Sequence, residues 1–369
     1  MRNTKILVLL VFFVVDNSWS ESHQIMSHRF VGLISTIGLA CPVLVVALGP
    51  QQQRFVERVD VARILIDVRV VDDFGRPVLG LTANDFEVEI DGKPVRVESA
   101  DWIDGKASQD VPLASTELSG VAEAATAGRS IVFLVQKSHE PSRAMGLLRW
   151  PQVNEPLLAG LTSDDRVAVV SFDFHLKMWL DFTHDIARAR TIMARDVMLR
   201  DPPSIDPGPK PSLLAQLSRD EGRRTYTIEK ALQLLANALA QLPGSKTIVL
   251  VGYGFGRMSS QGGAFLMPEY EMARDALQAA RVTLLCLDVT FADYHTLELG
   301  LQAVAADTGG IFERLYLNPR QAVDRVVNAL VGHYVLLAEK PDAKPGLHRI
   351  AVGLPRAKGI VLARSSYVD

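Results

Sequence analysis

The chain has 369 residues, of which 48% are hydrophobic and 22% are charged, so its composition is that of a folded protein and not of a disordered one. Its 39 Lys and Arg residues nearly balance its 42 Asp and Glu residues, for a net charge of −3. Basic residues form no dense run, so the electrostatic signature of a nucleic-acid-binding protein is absent. Cys41 and Cys286 both lie in apolar segments, where a lone cysteine usually packs as a small hydrophobic side chain.

The amino terminus carries a long apolar run from Val31 to Leu48, which follows the positive charge of Arg29. This order predicts a signal peptide or an amino-terminal membrane anchor over residues 1–50, with Met26 as an alternative start. We therefore expect an exported protein, periplasmic or extracellular, that stays anchored in the membrane if the segment is not cleaved. A cytoplasmic protein is the remaining alternative.

Alternating apolar residues after the leader predict strands. Ile64, Ile66 and Val68 share one face of a strand. Further along, the pair Asp91–Gly92 favours a tight hairpin turn, because both residue types tolerate positive φ angles. These patterns predict a small β domain over residues 60–104. A linker rich in Ala, Ser, Thr and Gly is expected over residues 105–128.

Strands and helices alternate from residue 128 to residue 332. Strands that are buried on both faces, as in a parallel sheet, are predicted by continuous apolar runs at 131–135, 167–172, 247–251 and 282–287. Helical spacing of apolar residues predicts helices at 185–198, 227–242, 268–280, 296–307 and 319–331. The alternation predicts a Rossmann-like α/β domain with a doubly wound, mostly parallel sheet. A hairpin edge strand is expected at 176–182, and a short carboxyl-terminal β extension over residues 333–369.

Three stretches carry a resemblance to a known family. They are VVDDFGRPV at residues 70–78, LTSDDRVAVVSF at residues 161–172 and ARSSY at residues 363–367. In this order and spacing, the chain resembles a bacterial family of exported proteins related to the von Willebrand factor A domain. The resemblance covers about residues 62–369 and implies a small β domain, an A-like α/β domain and a short β extension.

The resemblance also implies where a metal ion would bind. A functional A domain holds one divalent cation through an Asp-x-Ser-x-Ser run, a threonine and an Asp-Gly pair from three loops. The aligned positions in this sequence are Gln136, Ser138 and Glu140, then Thr225 or Thr227 (the latter also a plausible helix N-cap), and Tyr253. Both aspartates are replaced, and Glu140 is the single carboxylate left at these positions. The resemblance therefore implies a degenerate site with no metal and no cofactor.

Motifs for catalysis are weak. Gly252, Gly254 and Gly256 follow a strand, but a dinucleotide-binding fingerprint needs a helix directly after the glycines. Ser138 and His139 are neighbours on a loop, and the sequence has no Gly-x-Ser-x-Gly motif. We therefore expect no catalytic residue and no enzyme activity, with a Rossmann-type nucleotide-binding enzyme as a further alternative.

The sequence thus predicts an exported, non-catalytic protein-interaction module. In sheets of this kind ligands bind at the carboxyl ends of the strands, so the loops there are expected to hold a protein partner. The candidate contact residues on these loops are His139, Glu140, Tyr253, Phe255 and Arg257. No small-molecule substrate is expected. The main alternative is a structural or assembly subunit of an envelope complex, in which the β regions make the contacts.

Overall fold

The computed structural model describes residues 62–105, 129–242, 246–261 and 263–369. The predicted leader, and the predicted linker from residue 106 onward, lie outside these ranges. Among the described residues, none of the helices combines the length and the apolar character that crossing a membrane requires.

A six-stranded sheet forms the centre of the α/β domain. Its strands lie in the order β12 (Ile311–Arg314), β11 (Val282–Asp288), β8 (Lys246–Gly252), β5 (Ser130–Gln136), β6 (Arg166–Phe172) and β7 (Leu176–Thr183). Five strands run parallel, and the edge strand β7 pairs antiparallel with β6. The inner strands are buried almost throughout, which explains their continuous apolar sequences. The predicted α/β fold with a mostly parallel sheet is confirmed.

Helices cover both faces of this sheet. One face packs against α6 (Ile228–Ala240), α7 (Pro268–Ala279) and α8 (Glu298–Asp307). The other packs against α1 (Pro141–Val153), α2 (Glu155–Ala159), α3 (Ile186–Thr191) with the π-helical turn Ile192–Asp196 and α4 (Val197–Leu199), and α9 (Pro319–Ala329). A short helix α5 (Arg219–Gly222) precedes α6. The five predicted helices are confirmed to within a few residues at their ends.

Two antiparallel sheets form a β-sandwich. The first has the order β15 (Ile360–Ala363), β1 (Arg63–Val71), β13 (Gly332–Glu339) and β4 (Val97–Asp104). The second has the order β16 (Ser366–Val368), β14 (Leu347–Gly353), β2 (Glu87–Ile90) and β3 (Lys93–Val95). Apolar side chains from both sheets, including Ile66, Ile90 and Tyr334, share one core.

The sandwich is built from both ends of the described chain. Strand β13 lies between β1 and β4 and pairs with each of them. The two long strands of the predicted domain 60–104, β1 and β4, are therefore not neighbours. The strand between them, β13, belongs to the predicted extension 333–369 and begins one residue before it. The sequence patterns predicted these segments as separate units, whereas in the structure they share one sheet, because β13 satisfies the backbone hydrogen bonds of both neighbours. The α/β domain is thus inserted between β4 and β13.

Polar contacts join the sandwich to the amino ends of the central strands. The buried guanidinium of Arg69 in β1 donates to the Ala329 carbonyl (3.0 Å) and to the Thr283 hydroxyl (3.1 Å) at the start of β11. Arg281, directly before β11, donates to the Asp67 carboxylate at 3.0 Å. Because these contacts occupy the amino ends of the strands, the carboxyl ends lie at the opposite side of the domain.

Candidate functional site

Gln136 links two loops at the carboxyl ends of β5 and β8. Its side chain is 2% exposed. The amide nitrogen donates to the Gly254 carbonyl (2.9 Å), and the amide oxygen accepts from the Tyr253 backbone N–H (3.1 Å). The packing is close, since a Cβ atom on Gly252 would lie 2.5 Å from the Gln136 oxygen. The carboxamide thus holds together two of the loops at which the sequence resemblance implies a degenerate metal site.

Glu140 acts as the N-cap of α1. Its carboxylate accepts hydrogen bonds from the Ser142 hydroxyl (2.5 Å) and from the backbone N–H groups of Ser142 and Arg143. These hydrogen bonds lower the pKa of Glu140, and the bond from the Ser142 hydroxyl has the largest effect. Ser138 accepts a hydrogen bond from the Glu140 backbone N–H at 3.1 Å. The carboxylate is therefore used to cap the helix, which stabilises its first turn.

Tyr253 is half-buried beside these residues. The Arg143 guanidinium lies 4.2 Å from the centre of its ring, within the range of a cation–π contact. Its hydroxyl donates weakly to the Lys137 carbonyl at 3.4 Å, and burial raises the pKa of that hydroxyl. An aromatic side chain in contact with Arg143 thus stands at the position where the sequence resemblance implies a replaced aspartate.

The two candidate threonines have local structural roles. Thr225 is buried, donates to the Gly222 carbonyl (2.8 Å) and accepts from the Leu176 backbone N–H (3.1 Å). Thr227 is the N-cap of α6 and accepts from the Lys230 N–H (3.3 Å). In the part of the chain that the structure describes, neither threonine hydrogen-bonds to Gln136, and the N-cap geometry predicted for Thr227 is present.

These residues do not fit a hard divalent cation. Such a cation needs oxygen ligands in near-octahedral geometry, with at least one carboxylate among them. The Gln136 oxygen already accepts from the Tyr253 N–H, and its NH₂ group would face a cation as a donor. The Glu140 carboxylate is turned toward the start of α1. The ligand chemistry of an A-domain metal site is therefore missing at these positions.

The candidate partner contacts differ in accessibility. His139, Glu140 and Arg257 are exposed, and Tyr253 is half-buried. Phe255, in contrast, is 4% exposed and packs against the ring of Tyr270 in the core. The expectation that Phe255 contacts a partner is therefore wrong, because its side chain fills space left by a glycine, Gly300, in α8.

The glycine-rich loop after β8 serves close packing. Gly254 has φ +90°, and a Cβ atom there would lie 2.0 Å from the Leu297 carbonyl oxygen. The chain then enters the short hairpin strands β9 (Arg257–Met258) and β10 (Ala264–Phe265), and α7 begins only at Pro268. The glycines therefore do not open a helix, as a dinucleotide-binding loop would.

A second polar cluster lies at the end of β11. His295 Nε2 is 2.7 Å from the Asp288 carboxylate, and Glu298 lies nearby. The Arg314 guanidinium, however, binds both carboxylate oxygens of Glu298 at 2.8 and 2.5 Å. Because Arg314 already supplies the positive charge, this cluster is an ion-pair network that ties the loop before α8 to strand β12.

Two exposed aromatic residues at the same end of the sheet, one of them on the loop 201–226 that was expected to hold a partner, were not among the predicted contact residues. Phe174 and Tyr226 are 72% and 63% exposed, and both have positive φ angles (71° and 53°). The Tyr226 N–H donates to the Phe174 carbonyl at 3.0 Å, so the two residues are neighbours. Such backbone geometry is unusual for bulky residues. No sequence motif marks it, since it depends on the contact between two distant loops.

Comparison with known proteins gives structural likeness only. No protein-family model matches the chain, and no curated protein matches it. A von Willebrand factor type A protein from Catenulispora acidiphila is 12% identical, with a TM-score of 0.38 over 77% of this chain and 72% of that chain. The von Willebrand factor domain of the type V pili tip protein Mfa5 from Porphyromonas gingivalis is 13% identical, with a TM-score of 0.35. The match covers 55% of this chain and 94% of that chain. An aerotolerance-related membrane protein from Bacteroides fragilis is 14% identical, with a TM-score of 0.37. The match covers 55% of this chain and 100% of that chain.

These identities and TM-scores are too low to transfer a function. The sheet of this chain is informative by itself: five parallel strands and one antiparallel edge strand, in the order β12-β11-β8-β5-β6-β7, lie between two layers of helices. The inserted α/β domain therefore has the doubly wound, mostly parallel architecture that the sequence resemblance to von Willebrand factor A domains implies.

Proposed function

We propose that the protein is an exported, non-catalytic interaction module whose binding face is held by side-chain hydrogen bonds and not by a metal ion. The observation that carries the proposal is the buried Gln136 carboxamide, which joins the loops after β5 and β8. A cation in this position would join the same loops through its ligands. With Gln136 in place, the loops are positioned without one.

The polar groups around Gln136 support a binding role. Ser138 and Glu140 are used in hydrogen bonds that shape the loop and cap α1. A nucleophile needs a base within hydrogen-bond reach, and the structure describes no hydrogen bond between Ser138 and His139. Export is proposed from the apolar leader alone, which lies outside the described residues.

The face is also accessible. The sandwich contacts the amino ends of the central strands through residues such as Arg69 and Arg281. His139 and Arg257 lie on the loops at the carboxyl ends and are exposed. A partner protein would therefore meet these loops without displacing the sandwich.

A second candidate is an assembly subunit that binds through the sandwich. One observation favours it: Leu347 and Val368 pair across β14 and β16, and both are about half exposed. Two apolar side chains at the edge of a sheet offer a contact surface for another chain.

Site-specific photo-crosslinking in the native host tests the proposal. A photoreactive amino acid is placed singly at His139, Arg257, Leu347 or the exposed helix residue Arg190, which serves as the control. We expect the same partner polypeptide to be captured from His139 and Arg257 and not from Arg190. Capture from Leu347 alone would reject the proposal and favour the assembly subunit. Mass spectrometry of the fractionated host gives the location, since an intact leader peptide in the soluble cytoplasm would refute export.

A further inference from the structure

We infer that a cleft beside strand β7 is the docking site for a segment of the partner protein that carries an apolar side chain next to acidic residues. The inference rests on the proposed interaction function. It adds the place on the binding face where a partner is held and the chemistry of the segment.

The cleft has a volume of about 440 Å³ and three walls. They are the start of β7, the extended loop at residues 202–205, and the chain from Leu217 to Arg223, which includes α5. Leu176, Met178 and Leu214 provide apolar lining. Sites of this size and character bind groups of several side chains' volume, with the apolar lining supplying most of the contact.

The charged side chains that line the cleft are all basic. They are Lys177, Arg219 and Arg223, with His175 beside them. Lys177 is paired with Asp173 at 2.8 Å. Arg219 and Arg223 are exposed, and within the described ranges neither side chain has an ion-pair or hydrogen-bond partner.

This local charge contrasts with the net charge of −3 of the whole chain. Asp220 and Glu221 belong to the same short helix but do not line the cleft. Two arginine side chains without an ion pair at the rim of an apolar cleft are complementary to carboxylates beside an apolar side chain. An acidic segment of a polypeptide provides both features.

The loop that supplies one wall of the cleft is anchored to β7 directly after the lining residues 202–205. The buried Asp181 carboxylate in β7 accepts hydrogen bonds from the Gly208 N–H (2.9 Å), the Ser212 hydroxyl (2.5 Å) and the Leu213 N–H (2.8 Å). Prolines at 202, 203, 207, 209 and 211 restrict the same loop further. Because the anchor and the prolines restrict this loop, less conformational entropy is lost on binding.

The exposed aromatic pair lies beside the cleft. The ring of Tyr226 packs edge-on against His175, which lines the cleft, with 5.6 Å between ring centres. Phe174 precedes His175 in the chain and accepts the backbone hydrogen bond from Tyr226. Aromatic side chains are enriched at protein interfaces, and tyrosine is among the residues that contribute most to binding there. They extend the apolar contact beyond the cleft itself.

Labelled peptides test the inference on the full-length protein. Three fluorescein-labelled nine-residue peptide sets are compared by fluorescence anisotropy. The first has a central leucine between four Asp or Glu residues, the second replaces the leucine with serine, and the third replaces the acids with Asn and Gln. We expect binding of the first set only. Equal binding of the third set, or no binding of the first, would overturn the inference.

Variants in which two arginines are replaced by glutamine test whether the peptides bind at the cleft. The double substitution Arg219→Gln with Arg223→Gln should weaken binding of the first peptide set by about tenfold or more, since both residues are exposed and the fold is not expected to change. The matched control, Arg188→Gln with Arg190→Gln, makes the same charge change on exposed positions of α3 and should change binding less than about twofold. Equal effects of the two pairs would show a non-specific charge effect and refute the site. Full displacement of the peptide by millimolar inorganic phosphate would also refute it, because a simple anion site would explain the result.

The peptide-binding and crosslinking experiments distinguish a failure of the cleft inference from a failure of the proposed function. If the acidic peptides do not bind while crosslinking from His139 still captures a partner, the cleft inference fails and the interaction module stands. If the acidic peptides do not bind and crosslinking captures no partner, the cleft inference and the proposed function are both refuted.

Discussion

Replacing Gln136 tests whether a carboxamide holds the binding face together. Gln136→Leu keeps a similar volume and removes both hydrogen bonds to the loop after β8. Each bond contributes about 0.5–1.5 kcal/mol net, and a buried backbone group left without a partner costs about 1–3 kcal/mol. Because Gln136 is 2% exposed, we expect a loss of about 2–4 kcal/mol in the free energy of unfolding. This corresponds to a fall of roughly 5–10 °C in melting temperature.

The isosteric change Gln136→Glu adds a pH signature. One carboxylate oxygen can still accept from the Tyr253 N–H, but the other would face the Gly254 carbonyl oxygen and must be protonated to donate to it. Burial and this carbonyl raise the pKa of the new side chain above its usual value of about 4.3. The folded variant then keeps a proton that the unfolded chain releases, so its deficit relative to the native protein grows as pH rises. The growth is about 1.4 kcal/mol per pH unit, up to the raised pKa.

Urea denaturation followed by tryptophan fluorescence measures both effects. Ser130→Ala is the matched control, because Ser130 lies at the other end of β5, is equally buried, and has a hydroxyl with no hydrogen-bond partner in the described structure. It should change stability by less than about 1 kcal/mol. A Gln136→Leu variant as stable as the native protein, or a Gln136→Glu deficit that is constant from about pH 4.5 to 8, would refute the reasoning.

Three further predictions concern metal, capping and acid stability. Millimolar Mg²⁺, Mn²⁺ or Ca²⁺, or a chelator, should leave the melting temperature of the native protein unchanged. The triple variant Gln136→Asp, Glu140→Ser and Tyr253→Asp should be stabilised by about 1.4 kcal/mol at ten times its metal Kd, and a metal effect on the native protein would contradict the site geometry. Glu140→Ala should lower the melting temperature at pH 7 by removing the cap of α1. Hydrogen bonds at the start of α1 lower the pKa of Glu140, so this difference should vanish as pH falls through that pKa, and a difference that persists there would exclude the cap as its cause. Burial lowers the pKa of His333 below 6.5 in spite of Asp67 at 3.5 Å, so the unfolded chain binds a proton that the folded chain does not. Stability should therefore fall as pH drops below about 6.5, by at most about 1.4 kcal/mol per unit, and a urea series on His333→Gln should show a shallower slope if His333 is the cause.

Much of the α/β fold was predictable because burial on both faces forces a continuous apolar sequence. Strands β5, β8 and β11 show this, and α6 shows the helical equivalent in its apolar stripe. Helix α1 was missed because Gly146 and Pro151 are poor helix formers. The structure gives the reason for Gly146: a Cβ atom there would lie 1.5 Å from the Val289 carbonyl oxygen. A close approach between helix and loop thus overrides local propensity.

The composite sandwich was not predictable from local patterns. Each strand could be found by its alternation, but the partner of β1 is β13, more than 250 residues later. Alternation gives the face of each side chain and says nothing about which strand lies beside it. The segments were therefore correctly predicted as β structure, while the pairing of strands from both segments is visible only in the three-dimensional structure.

At the site, the sequence predicted which residues lie close together. It did not predict the hydrogen bonds or the burial of each residue. Gln136 and Tyr253 do meet, as the alignment with the family implied. Their bonding could not be predicted, because it depends on how Glu140 is used in capping and on the close packing of Gly252 against the amide. Phe255 was expected at the surface because it lies in a loop. It is buried because a glycine in α8 leaves room for its ring.

The two proposals together predict how partner binding responds to added salt and to a chelator. If a cation held at these loops provided the positive charge for an acidic partner, a chelator would abolish binding. Here the loops are joined by Gln136, and the positive charge beside the cleft comes from Arg219 and Arg223, whose side chains are exposed. Exposed charges are screened by salt, with a Debye length of about 8 Å at physiological ionic strength. Partner binding should therefore weaken with added NaCl and be indifferent to a chelator. Binding that a chelator abolishes while salt leaves it unchanged would mean that a cation, and not these arginines, attracts the partner.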